Sequence, residues 1–166
     1  MTIGRICSRI VHVAQPGERV IDVARRMRHA NVGTVVVVDP QRRPVGILTD
    51  RDLVVRVMAE GREPATTELT AVMTKELRVV AVDTSLEDTL RQMREVGVRR
   101  LPVVDGRGEL LGIVSIDDIV ELLAGEIGNV GRILAQASAA TTAGLLRKEP
   151  PRAVAGIERA QGEAEC

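Results

Sequence analysis

The sequence predicts an α/β fold made of two tandem strand-helix-strand-strand-helix repeats, packed on each other as a pseudo-two-fold pair. Three observations carry that prediction. First, Gly46-Ile-Leu-Thr-Asp-Arg-Asp52 returns 66 positions later (46 to 112) as Gly112-Ile-Val-Ser-Ile-Asp-Asp118. The same offset relates Val13 to Val79, Asp22 to Asp88, Met27 to Met93 and Val37-Val38-Asp39 to Val103-Val104-Asp105. Two copies at so long a period mark a duplicated domain, because a solenoid needs three or more repeats to bury its faces. Second, each copy alternates helical periodicity with β-branched apolar runs, the pattern of helices layered on small sheets. Third, 45% of the 166 residues are hydrophobic, which is enough for a real core.

Copy one opens with a short strand near Val11 to Val13, after which Pro16-Gly17 turns the chain. A helix follows from about Arg19 to His29, with Val20, Val23, Ala24 and Met27 on one face; Leu86, Leu90 and Met93 repeat that stripe in copy two. Thr34 to Val38 is β-branched and nearly all apolar, a buried strand, and Asp39-Pro-Gln-Arg-Arg43 loops to the next apolar strand at Pro44 to Leu48. A second helix runs from about Asp50 to Glu60, and Gly61-Arg-Glu-Pro64 ends it, since proline cannot continue a helix. Repeat one therefore occupies 4–64, a connection 65–71, and repeat two 72–124, with its own strand at Leu110 to Val114.

Residues 125–166 read as a helical extension and a loosely ordered tail. Ile116, Val120, Leu123, Ile127, Val130 and Leu134 follow a heptad-like seam. Gly125, Gly128 and Gly131 beside it cost about 1 kcal/mol each relative to Ala in a helix interior. Two readings stay open: the helix ends near Gly125, or it persists and the glycines let another backbone approach. Beyond Ala135 an Ala, Ser and Thr-rich run and Pro150-Pro151 point to loose order.

Each repeat's last strand runs into a hydroxyl residue, Thr49 or Ser115, with Asp52 or Asp118 three positions on. One reading is a helix cap: the hydroxyl accepts from an early amide, and the carboxylate suits the positive end of the helix dipole. The other is a ligand site, where a helix start with free amides attracts an anion and a first-turn carboxylate accepts from ribose hydroxyls.

These residues resemble the tandem cystathionine beta-synthase (CBS) domain pair, a regulatory module that commonly binds adenosine derivatives. The family pattern of glycine, hydrophobic residue, any residue, Ser or Thr, two residues, then Asp is complete in both copies. Each also has the preceding V-V-D strand end, and the second has the fuller Arg100-Leu-Pro-Val-Val-Asp105. The resemblance spans about residues 4 to 124. It implies that Asp52 and Asp118 hold ribose hydroxyls and that Thr49 and Ser115 contact phosphate. It also implies that the strands near Val13 and Val79, and near Val35 and Leu101, flank adenine. AMP, ADP, ATP or S-adenosylmethionine are the ligands expected, no cofactor is obligatory, and CBS-like pairs often form homodimers through the helices after the motifs. The runner-up is a ligand-free dimerising scaffold whose motifs are only caps.

The copies differ where ligand charge matters. Arg51 lies inside the first motif and aligns with Asp117 in the second, which repels phosphate if it faces the ligand. Arg99 and Arg100 replace Gly33 and Thr34, and Val36 stands where copy two has Pro102.

Charge and composition narrow the class. Basic and acidic side chains number 23 each, so no net field recruits nucleic acid or an anionic membrane. Phe, Tyr and Trp are absent, which removes the usual stacking platform for single strands, so a bound base lies between aliphatic groups. No apolar run reads as a signal peptide or a membrane span, and a cytoplasmic protein is expected. Cys7 aligns with Met73 and should be packed, Cys166 should be exposed, and no disulfide is expected between them. His12 and His29 lack partners at metal-ligand spacing and read as surface residues. No nucleophile-base set and no phosphate loop of the Walker type is visible, so the expectation is a non-enzymatic, stand-alone module regulating an unidentified client in trans.

Overall fold

The structure, a computed structural model, describes residues 1–146. It contains two three-stranded sheets of the same design. In the first, β1 (Val13–Ala14) crosses through α1 (Val20–Ala30) to β2 (Thr34–Val38), which lies parallel to it, and β2 turns back into antiparallel β3 (Pro44–Thr49). The second repeats this with β4 (Val80–Ala81), α3 (Leu86–Val96), β5 (Arg100–Val104) and β6 (Leu110–Ser115). The α/β class and the paired repeats expected from the offset are thus observed. Even the hairpin registers coincide: Thr34 faces Thr49 as Arg100 faces Ser115, and each ladder slips at its fourth pair, beyond Val37 and Val103.

Local chemistry explains these boundaries. The α1 face of Val20, Val23 and Met27 is buried, and the helix stops at Asn31, whose φ of 53° is left-handed. Its counterpart α3 stops at Gly97 with φ 72°, where the missing Cβ removes the steric cost of that conformation. The aspartates of the V-V-D ends tie the following turns. Asp39 Oδ1 accepts from the amides of Gln41 at 2.9 Å and Arg43 at 2.8 Å, and Asp105 Oδ1 accepts from Arg107 and Glu109, both at 2.9 Å. These amide bonds, that of Glu109 foremost, hold the Asp105 carboxyl below its usual range.

After β3 the chain enters α2 (Asp50–Leu53) and then widens into a π-helical turn over Val54–Met58, where the sequence pattern predicts one uniform helix. After β6 comes α4 (Ile116–Leu146), which continues through Gly125, Gly128 and Gly131. A Cβ at Gly125 or Gly131 would meet nothing within 4 Å. Among the α4 residues whose burial is described Ile119 is buried, while Val120 and Leu123 of the expected seam are exposed. Contacts divide the chain into a unit Met1–Ala124 and a second beginning at Gly125; in the latter Ile127 and Val130 are exposed. The loose order expected beyond Ala135 is corrected as far as Leu146, where α4 is still helical; the remainder of that expectation, with Cys166, falls on 147–166 and lies outside the described residues.

Three clusters make the core of the first unit, and two of them exchange their leading segments. Leu69, within the expected connection, and Val72, just past it, are buried with Val23, Val35 and Leu48 of repeat one. Ile3 and Cys7 are instead buried with Val80, Leu101, Val114 and Ile119 of repeat two. Backbone bonds enforce the exchange: Ile3 N–H donates to Thr84 at 2.9 Å, and Leu69 N–H to Glu18 at 3.0 Å. Each motif glycine lies against the incoming segment. A Cβ at Gly112 would stand 2.6 Å from the Ser8 carbonyl oxygen, and one at Gly46 2.6 Å from Met73 Sδ. The third cluster, Val36, Val38 and Leu110 with Val11, Val13 and Ile113 against it, joins the two repeats.

Candidate functional site

Both motifs form complete reciprocal caps. Thr49 donates through its amide to Asp52 Oδ2 at 2.8 Å and through its hydroxyl at 2.7 Å, while Asp52 N–H returns a bond to Thr49 Oγ1 at 3.2 Å. In the second motif Ser115 donates to Asp118 Oδ2 at 2.8 Å and 2.6 Å, and Asp118 N–H returns 3.2 Å. One carboxylate oxygen and the single hydroxyl proton are therefore engaged at each helix start. What each site can offer outward is the other carboxylate oxygen, Oδ1.

Each motif borders a cleft whose opposite wall comes from the other repeat. The first cleft, about 610 Å³, places Thr49, Arg51 and Asp52 against Leu77 and Arg78 and against Val98 to Leu101. The second, about 300 Å³, places Ser115 and Asp118 against Val11 and His12 and against Asn31 to Thr34. The walls correspond under the repeat offset, Val11 with Leu77 and His12 with Arg78. This crossing follows from the exchange of leading segments: Ser8 bridges to Ile113 beside the second motif and Thr74 to Ile47 beside the first.

The clefts differ in three respects. Asp52 Oδ1 is paired with Arg56 at 3.3 Å, but the position equivalent to Arg56 is Leu122, and Asp118 Oδ1 has no partner among the described residues. Val36 N–H donates to the His12 carbonyl at 3.0 Å, whereas Pro102 has no N–H to give Arg78, leaving that carbonyl without the equivalent bond in the first cleft. The first cleft also carries four arginines, Arg51, Arg78, Arg99 and Arg100, against Asp50, Asp52 and Glu76. The second has Arg100 against Asp118. In a shielded cleft such a charge difference acts more strongly than in open water.

The sequence-predicted residues distribute unevenly over this geometry. Thr49, Arg51, Asp52, Arg99, Arg100 and Leu101 border the first cleft, and Ser115, Asp118 and again Arg100 the second. The strand positions expected to flank a base shift by one or two residues. Val13 and Val79 border neither cleft, their places being taken by Val11 and His12 and by Leu77 and Arg78. Val35 is wholly buried in the first core and borders neither cleft, although its repeat equivalent Leu101, equally buried in the second core, borders the first. Asp117 corrects a further expectation. It faces Arg99 and Arg100, each at 3.5 Å, and so lies beside the arginines of the first cleft instead of opposing a phosphate in the second. His12, read as a surface residue, borders the second cleft. The repeat offset pairs it with Arg78, but no pattern within one copy shows that either faces the other copy's motif.

The sequence profile of the CBS domain matches the chain twice, at residues 3–59 and 69–125. An uncharacterized protein of Methanopyrus kandleri is 34% identical over 122 residues, which is 74% of this chain and 62% of that protein. The chain thus spans less than two thirds of that relative's length. A solved conserved CBS domain protein of unknown function from Thermoplasma acidophilum is 26% identical with a TM-score of 0.67, covering 73% of this chain and 68% of its own. The cytosolic domain of the Mg2+ channel MgtE, solved in complex with ATP, is 30% identical with a TM-score of 0.64, covering 73% of this chain and 48% of its own. Among the described residues no helix is long and apolar enough to cross a membrane.

Proposed function

The chain belongs to the CBS domain family and carries its domain twice, and on that premise we propose that it is a regulatory module that binds adenosine nucleotides in its two clefts and acts on a partner in trans. Pairs of CBS domains are regulatory modules, and we assign this one no catalytic step. The observation that carries the reading is the first cleft, whose volume of about 610 Å³ is within the roughly 300–1,000 Å³ of small-molecule sites. Apolar Leu77 and Val98 suit the faces of a base, and the Arg78 carbonyl, without a donor from Pro102, suits an exocyclic amine. Asp52 and Asp118 accept from ribose hydroxyls through Oδ1, while Arg51, Arg78, Arg99 and Arg100 neutralise phosphate. Thr49 and Ser115 reach phosphate only by turning their hydroxyl protons away from the caps. The ATP complex of the 30% identical MgtE domain supports an adenine nucleotide, with AMP, ADP, ATP and S-adenosylmethionine as the ligands to try.

The module works in the cytoplasm as a homodimer under this reading. Val54, Val55 and Met58 after the first motif, and Val120 and Leu123 after the second, are exposed apolar residues on the helices that follow the motifs. A second copy covering them removes apolar surface from water at about 25 cal/mol per Å². The complete caps favour one rival, a scaffold that binds no nucleotide. A thermal-shift panel of adenosine compounds separates the two, because a ligand at one hundred times its dissociation constant stabilises the fold by about 2.7 kcal/mol. No shift with any of the four compounds would refute nucleotide binding.

A further inference from the structure

Arg100 occupies a position that belongs to both clefts. It opens β5 directly across the hairpin from Ser115 of the second motif, and it borders the first cleft as well. Its counterpart under the repeat offset, Thr34, also borders both, so the two positions mark the pseudo-two-fold axis between the sites. The duplication therefore places one cation on that axis. Thr34 Oγ1 is buried, without a hydrogen-bond partner among the described residues, and supplies no second charge.

We propose that Arg100 is a shared phosphate anchor, so that an anionic ligand in one cleft weakens the binding of an anionic ligand in the other. The inference rests on the nucleotide reading above and concerns how the two occupancies are linked. A guanidinium is a planar fork that engages one phosphate bidentately, and one side chain cannot direct that fork into two clefts at once. The Arg100 side chain is 42% exposed and its ion pair with Asp117 is long, at 3.5 Å, so a phosphate on either side can draw it. The first cleft keeps Arg51, Arg78 and Arg99 whichever way Arg100 turns, whereas no other arginine among the described residues borders the second. Filling the first cleft thus strips the second of its cation. Because linkage is reciprocal, filling the second weakens the first by the same factor.

Calorimetry on the full chain with AMP, and with ATP if AMP gives no heat, tests this. Asp118→Ala isolates the first cleft and Asp52→Ala the second, with Asp118→Asn and Asp52→Asn replacing them if an Ala variant unfolds. The weaker wild-type step is expected at least about fivefold above the dissociation constant of the same cleft measured alone, the lower end of ordinary couplings. Adenosine, which has no phosphate, should show no such gap. Arg100→Thr, which copies Thr34, should close it. One nucleotide bound per wild-type chain, becoming two in Arg100→Thr, is the same outcome at its extreme and equally supports the proposal. Two independent wild-type sites overturn the inference alone. So does a gap that persists in Arg100→Thr, as direct repulsion between two bound phosphates would produce. Absence of binding by both nucleotides overturns the inference, and absence of a thermal shift with all four compounds overturns the nucleotide reading as well.

Discussion

Replacing Asp118 by Ala removes two roles that reside on different oxygens of one carboxylate. Oδ2 closes the cap with Ser115 at 2.8 Å and 2.6 Å, and Oδ1 is left for the cleft. Loss of the cap should cost about 0.5–2 kcal/mol of fold stability, the range for helix caps. Loss of a ribose hydroxyl bonded to a charged acceptor should cost about 1.5–3 kcal/mol of binding, which is roughly tenfold to 150-fold in dissociation constant. Asp52→Ala has the same two effects and adds a third, because Arg56 loses its 3.3 Å partner while keeping its bonds to the Val72 carbonyl and Thr74. The first cleft should then lose less affinity than the second, since Arg56 already competes for Asp52 Oδ1. Urea denaturation reads the stability change and calorimetry the affinity. Reduced stability with unchanged affinity in Asp118→Ala would leave the carboxylate as a cap and sink the ribose assignment.

Three further perturbations follow from the same geometry. Arg51→Ala should weaken a multiply charged nucleotide in the first cleft, and Asp117→Asn should strengthen it there up to about fivefold by releasing Arg99 and Arg100 from a surface-type pairing; equal affinities in both variants at low salt refute this charge argument. Light scattering on the full chain and on residues 1–125 should show a dimer in both, placing the contact on the helices after the motifs, and monomers in both would refute the dimer. Burial raises the Glu18 carboxyl, but Arg26 and the Gln15 amide outweigh it and hold its pKa below the ordinary 4.5. A folded pKa below the unfolded one means that this stabilisation is complete above 4.5 and lost as pH falls through the folded value. The stability gap between wild type and Glu18→Gln should therefore narrow below pH 4.5, and a gap constant down to pH 3 would contradict the pairing.

Features that depend on a few neighbouring residues could be read from the chain directly. The β-branched run Thr34 to Val38 is the strand it looks like, and the Val20, Val23 and Met27 stripe is buried as its spacing requires. The caps were legible because Thr49 with Asp52, and Ser115 with Asp118, interact across a single helical turn. A three-residue spacing encodes both partners at once. The glycines of α4 show the limit of such local reading. Their propensity cost of about 1 kcal/mol each allows either outcome, and the helix continues through all three.

By itself, then, the sequence determined the repeat, the elements and the two capped motifs, all of them consequences of periodicity and short-range chemistry. Only the tertiary structure decided which copy completes which cleft. Ile3 and Leu69 are equivalent under the offset and equally apolar, so their sequence cannot say whether each enters its own repeat's core or the other's. That choice brings Arg78 to the first motif and His12 to the second, and it leaves Arg100 bordering both clefts. Contacts across tens of residues depend on which buried surface has room for the incoming side chain, and two repeats of the same design present that choice without a local signal to make it.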